Sequence, residues 1–332
     1  MTATDLQLPL VSIMILSYNQ EHFIAETLQS ALTQNYSNLE VIVSDDASTD
    51  KTSEIIRHFQ AQYPERLKPV FNSQNLGITG NCNRALQHCR GKYIAWLGGD
   101  DIMLPDKIRQ QVECMENDPN IVITHHDVEV FDSATNATLY YASTKKSLTG
   151  AETNIRDLIG YGFYMMGPSV MLRTDCVPKR GFDERIKVSS DWLFLLQCML
   201  SKPQGKIVYL NGVYVRYRRH QKNLTIFMKQ NLKMSLDEHL LTLDILAVEA
   251  EAFHPEIKSA KFYLKLIFVI RFALAKQYTL SLKTAVNSLP DFSISGLIIF
   301  FKKTLQDYQF KKAVKLKRSA SLSLPSNSYP EG

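Results

Sequence analysis

The sequence predicts an α/β fold: a mostly parallel, Rossmann-like sheet with helices on both faces, followed by a helical C-terminal extension. Three observations predict it. Short apolar runs alternate with helical spacing over the first ~130 residues. Polar residues follow each apolar run, where ligands bind in such sheets. Beyond Thr225 the spacing is helical throughout.

The elements follow in order. Val11 to Leu16 is a strand, and Glu21 to Thr33 is a helix with Phe23, Ala25, Leu28, Ala31 and Leu32 on one side. Leu39 to Val43 is the second strand. Ser48 or Asp50 caps a helix through Ile55, Ile56 and Phe59. Leu67 to Phe71 and Ile78 to Cys89 are the third strand and helix. Tyr93 to Leu97 is the fourth strand, Pro105 opens the next helix, and Ile121 to Thr124 is a fifth strand. Further on, Ala137 to Ala142, Ser169 to Leu172, Lys206 to Leu210 and Val213 to Tyr217 read as strands, and Asp191 to Leu200 as a helix. Gln230–Glu251, Glu256–Lys276 and Ile298–Lys317 read as the extension's helices. This divides the chain into a domain over 1–225, with halves at about 8–127 and 128–225, an extension over 226–318, and a Ser- and Pro-rich disordered tail over 319–332.

Composition narrows the function. Hydrophobic residues make up 45% of the 332, enough for a substantial core. The five cysteines are odd in number and form no C-x-x-C pair, which reads as buried thiols in a reducing compartment. No secretory leader or membrane-length apolar run is visible, so a cytoplasmic protein is expected. Residues 302–318 hold seven basic groups against one acid and account for the whole net charge of +5. That argues against a globally basic nucleic-acid binder. It allows a basic helix on an anionic membrane, at the inner face of the plasma membrane, as readily as a solvated helix.

Candidate chemistry sits at the strand ends. Gly98-Gly99-Asp100-Asp101 follows a buried strand, and two adjacent carboxylates repel unless a cation relieves them. Two glycines allow close approach of the backbone to a bulky group. Asp45 or Asp46 could accept from ribose hydroxyls or cap a helix. Asp191 could cap its helix or act as a general base, with Trp192 as a sugar platform or as core. Arg218 and His220 could meet a diphosphate or a metal, or form a solvated edge. His125 and His126 point to opposite strand faces and do not share one metal.

In this order the motifs resemble the inverting nucleotide-sugar glycosyltransferases of family two, with the GT-A type fold. The resemblance runs through Pro9 to Ile13, Ser17-Tyr18-Asn19, Val41 to Asp50, Asn75-Leu76-Gly77, Asn81 to Arg84, Gly91 to Ala95, Gly98 to Asp101 with Leu104-Pro105, Ser190-Asp191-Trp192, and Tyr217 to His220. It covers roughly residues 8–225. It implies a nucleotide-diphosphate sugar, UDP-linked by family habit, as donor. The implied donor-binding set is Ser17, Tyr18, Asn19, Asp45, Asp46, Asn81, Arg84, Gly99, Asp100 and Arg218. It implies Mg or Mn at Asp100, Asp101 and His220, and Asp191 as the catalytic base. The acceptor would be a saccharide or lipid-linked saccharide of a cell-surface polymer. Gly98 stands where the family's metal motif begins with Asp. The Gln-x-x-Arg-Trp motif of processive synthases is absent, which favours single-sugar transfer. A non-catalytic binding protein on this scaffold and, less favoured, a nucleotidyltransferase are the alternatives.

Overall fold

The computed structural model describes residues 8–142, 151–302 and 304–305. In chain order the elements are β1 (Val11–Ser17), α1 (Ile24–Leu32), β2 (Leu39–Asp45), α2 (Thr52–Gln62), β3 (Leu67–Phe71), α3 (Gly77–Leu86) and β4 (Tyr93–Gly98). Then come β5 (Ile102–Met103), α4 (Lys107–Asn117), β6 (Ile121–Asp132), β7 (Thr138–Tyr141), β8 (Glu152–Thr153), α5 (Ile155–Tyr161), β9 (Met171–Arg173), α6 (Ser190–Ser201) and β10 (Lys206–Arg219). The extension follows as α7 (Leu224–Gln230), α8 (Leu232–Glu249), α9 (His254–Leu274) and α10 (Tyr278–Ser288), with 294–302 also helical. The tail and most of the basic segment lie outside the described residues.

The strands form one sheet in the order β3-β2-β1-β4-β9-β6-β10-β5, with β7 beside β6 and β8 beside β10. The first four are mutually parallel, and β6 and β10 run parallel to each other. Register puts Ser17 opposite Asp45, and Leu16 opposite Gly98. Strands β1, β2 and β4 therefore stop at one level, and the polar residues after them stand side by side.

Alternation along β1 builds a core on each face. Val11, Ile13 and Ile15 pack with Ile24 and Leu28 of α1, Ile56 of α2 and Ile108 of α4. Met14 faces the other way, into a cluster holding Cys82 and Ala85 of α3 and Phe194 and Leu195 of α6. Leu243 and Leu246 of α8 and Ile257, Ala260 and Tyr263 of α9 belong to that same cluster. The extension thus covers the second face of the sheet. All five cysteines are free thiols.

Four expectations need correction. Strand β6 does not stop at Thr124 but runs on to Asp132, because β10 pairs beside it along its length. The two strands expected over 206–217 are one bulged strand. Asn211 and Gly212 sit between the pairs Leu210–His126 and Val213–Asp127, and Gly212 takes up the extra length at φ +125°. Helix α4 opens at Lys107, two residues after Pro105, because Asp106 turns left-handed at φ +68°. The helix expected over 230–251 is α8, and a separate short helix, α7, precedes it across Asn231.

Candidate active site

The loops after β1 and β2 lock together. Asp45 is buried and accepts four hydrogen bonds: Ser17 Oγ at 2.9 Å and Ser48 Oγ at 2.5 Å on Oδ1, and Ser48 N at 3.1 Å and Ser53 Oγ at 3.0 Å on Oδ2. Asn19, left-handed at φ +52°, accepts from Thr49 N at 2.8 Å, and its own N–H donates to Ser48 Oγ. Asp50 holds the start of α2 by accepting from Thr52 N. Ser48 is spent on Asp45 and Asn19, so of the two it is Asp50 that binds the first turn of α2, although the N-cap position itself is Lys51. Tyr18 projects at 48% exposure beside this knot.

Asp46 is fastened on one side only. Its Oδ1 accepts from Leu76 N at 2.8 Å and Asn72 Nδ2 at 3.0 Å. Its Oδ2 has no hydrogen-bond partner among the described residues. Asn81 is buried and ties Ser44 O to Asn72, while Arg84 is exposed and reaches Asn72 and Gln87. Asn81 is therefore a strut below the loop, and Arg84 lies at its rim.

The second acidic pair is braced from far along the chain. Asp101 is buried and its Oδ1 accepts from Arg218 N at 2.9 Å. Burial, and then the charge of Asp100, push its carboxyl well above the usual range. The Arg218 guanidinium donates to Asp100 O at 2.7 Å, pairs with Glu26, and lies over the Phe23 and Phe131 rings. Arg218 is thus an enclosed brace, not the open anion contact expected of it. Thr27 Oγ1 is shared between Gly99 O and Asp101 O at 3.0 and 2.8 Å. Asp100 Oδ2 meets His220 Nε2 at 2.8 Å and Asn223 Nδ2 at 3.3 Å. Its Oδ1 has no hydrogen-bond partner among the described residues.

Both glycines have a structural cause. A Cβ on Gly98 would stand 2.8 Å from Asp100 Oδ1 and 2.9 Å from Asp101 Oδ2. The bare Cα lets the carboxylates fold back, so a first acid at 98 and this arrangement exclude each other. A Cβ on Gly99 would stand 1.9 Å from Gln20 Oε1 and 2.7 Å from Leu16 O. The close approach expected of Gly99 is to the protein's own loop. Among the described residues no group of three or more His, Cys, Asp or Glu gathers for a metal ion. Asp100 and His220 form a two-residue set with one oxygen left over, which fits a cation that takes its other ligands from phosphates and water. Asp101 is turned to the protein interior.

Asp191 occupies the first turn of α6. Its Oδ1 accepts from Trp192 N at 2.9 Å, and Thr79 of α3 hydrogen-bonds Ser190 Oγ at 3.0 Å, tying this turn to α3. Burial, with a smaller push from Glu238, raises the Asp191 carboxyl to about 6. Trp192 is only 1% exposed and donates Nε1–H to Leu158 O at 3.0 Å, so it is core and not a sugar platform. His125 lies against Tyr164 and Tyr209 and His126 against Tyr214, on opposite faces as expected. The sequence reading missed Phe23, Glu26, Thr27, Asn223 and Glu238. Asn223, three residues past His220, carried a turn signal; Glu238 is one acid in a helical run and carried none.

The glycosyl transferase family 2 model matches residues 12–175. Those residues form a glycosyl transferase family 2 domain. Among its relatives, Bacillus subtilis EpsE, named as a glycosyltransferase, is 37% identical over 124 residues, 37% of this chain and 45% of EpsE. The uncharacterized glycosyltransferase MJ1057 of Methanocaldococcus jannaschii is 28% identical over 233 residues, 69% of this chain and 78% of its own. Bacillus subtilis TuaG, named for teichuronic acid biosynthesis, is 37% identical over 107 residues, 32% of this chain and 42% of TuaG. The chain spans under half the length of EpsE and TuaG. Its fold is similar to S. aureus TarS 1–349, solved with UDP-GlcNAc, at TM-score 0.63 and 19% identity over 97% of this chain and 93% of that one. It is also similar to the Pyrobaculum calidifontis mannosyltransferase PcManGT, solved with GDP-Man and Mn2+, at TM-score 0.57 and 17% identity over 92% and 86%. The fold is thus the GT-A type with a helical C-terminal region.

Proposed function

We propose that this protein transfers one sugar from a nucleotide-diphosphate sugar, UDP-linked, to an acceptor hydroxyl with inversion at the anomeric carbon. The observation that carries the reading is Asp191. A carboxylate raised to about 6 stands in the first turn of α6, tied through Thr79 to the helix that borders the Asp46 loop. Asp191 takes the proton from the acceptor hydroxyl, whose oxygen attacks the anomeric carbon from the face opposite the diphosphate. The bond from that carbon to the diphosphate oxygen breaks, and the diphosphate leaves with the electron pair. Tyr18 and the unpaired Asp46 oxygen line the nucleoside end. Asp100 and His220 would hold Mg or Mn, which when bound neutralises charge on the leaving diphosphate. UDP-GlcNAc in TarS and Mn2+ in PcManGT support the donor and the metal.

Asp191→Asn is expected to abolish transfer while donor binding, read by thermal shift, persists. The base must be ionised, so the wild-type rate rises with pH and levels off above about 6. Full activity of the variant removes Asp191 from this role.

The acceptor we propose is a saccharide or lipid-linked saccharide of a cell-surface polymer, at the cytoplasmic face of the membrane. TuaG's printed name supports the polymer. Among the described residues no helix is long and apolar enough to cross a membrane. Leu274, Tyr278, Leu282, Val286 and Leu289 are each more than half exposed and precede the basic segment. Sedimentation with anionic vesicles tests this contact; unchanged binding by Leu282→Ser/Val286→Ser would exclude that face.

A further inference from the structure

The segment Ile186–Ser190 that delivers Asp191 is held from two sides. On one side Thr79 Oγ1 lies 2.7 Å from Ile186 O and 3.0 Å from Lys187 O. On the other, Glu238 of α8 accepts three consecutive backbone N–H groups: Lys187 at 3.0 Å and Val188 at 3.1 Å on Oε1, and Ser189 at 2.8 Å on Oε2. Glu238 is buried at 8% exposure, so these charge-assisted bonds do not compete with bulk water. The same helix grips what lies around the segment. Ile245 packs with Ile186 and Leu193, and the His239 ring lies 5.8 Å from that of Trp192.

We propose that Glu238 is the positioning residue for Asp191: the helical extension reaches into the transferase domain and fixes, through three amides, the turn that presents the base to the acceptor. This rests on the reading of Asp191 as the base. Each amide held removes a way for the turn to drift, and a drift of about 1 Å costs on the order of 100-fold in rate. Glu238 also acts by charge, adding to the burial that keeps the Asp191 proton on. Among the described residues Cys82 of α3 also faces Asp191, and burial raises its thiol far out of the working range. His239, next along α8, is pushed toward neutrality by burial.

Glu238→Gln tests this. The glutamine oxygen keeps the Lys187 and Val188 bonds, but its amide group turns a donor toward Ser189 N–H and the charge is lost. We expect kcat to fall by about 10- to 100-fold, with the donor KM unchanged. The acidic limb of the pH profile should move to lower pH, since the charge that raised Asp191 is gone. Amide exchange at 187–189 should accelerate, more so in Glu238→Ala, with melting changed little in the glutamine variant. Wild-type exchange at these amides in both variants overturns the positioning role, whatever the activity. Wild-type kcat and pH profile with accelerated exchange also overturn it. If the wild-type protein transfers no sugar from any nucleotide sugar supplied, the reading of Asp191 as base fails instead, and exchange alone then decides whether Glu238 holds the turn.

Discussion

Asp45-Asp46 and Asp100-Asp101 look alike in sequence, yet each divides its labour in the opposite order. In the first pair the leading acid is the fastening: Asp45 is consumed by four donors, and Asp46, also buried, keeps an unpaired oxygen. In the second the trailing acid is the fastening: Asp101 is buried against Arg218 N and Asp100 keeps an open oxygen. The donors differ as well. Asp45 is held by hydroxyls and an amide from neighbouring segments, whereas the carboxylates of Asp100 and Asp101 are held by residues more than a hundred positions away. Adjacent acids thus divide into one that fixes the loop and one that keeps an unpaired carboxylate oxygen.

The contrast breaks most sharply at Asp100. Asp100→Asn should lower transfer by about 100- to 1,000-fold in saturating metal, with unfolding in urea unchanged. A large loss of stability instead would make Asp100 a fastening too. Asp45→Ala should do the converse, leaving three hydroxyls and an amide unpaired and lowering unfolding free energy by about 3 kcal/mol. Wild-type urea stability would contradict its assignment. Gly98→Asp supplies the acid that the family motif carries, but its Cβ displaces Asp100. We expect a loss of about tenfold in metal-dependent rate, and a gain would show that the carboxylates rearrange freely. Asp46→Asn should raise the donor KM only several-fold, because its Oδ1 bonds survive the change. Steady-state kinetics at fixed acceptor reads this.

Much of this was legible from the sequence, for physical reasons that also mark where reading stops. The strands of the first half declare themselves because both faces are buried, which leaves continuous apolar runs such as Val11 to Leu16. Asp46, Asp100 and Asp191 stand at element ends, where spacing alone finds them. Side-chain direction is not legible that way. Arg218 looked open and lies buried over two rings; Trp192 could have been a sugar platform or core and is core. Residues 206–217 read as two strands and form one, bulged at Asn211-Gly212, because β6 continues beside them. Glu238 could not be found at all, since its role exists only once α8 packs against the turn before α6.

The bond between Arg218 and Glu26 spans 192 positions, that between His220 and Asp100 spans 120, and those from Glu238 reach back about 50. Contacts of such separation close late in folding, after local elements have formed. On the ribosome the order is stricter still. The first half can build its strands and the Asp45 knot as it emerges, but Asp100 gains its brace only after Asn223 has been made. The Asp191 turn gains its second hold only after residue 238. A chain interrupted before that point would own every acidic residue of the proposed chemistry and still lack a settled site, so synthesis itself delays competence until the sheet is already covered.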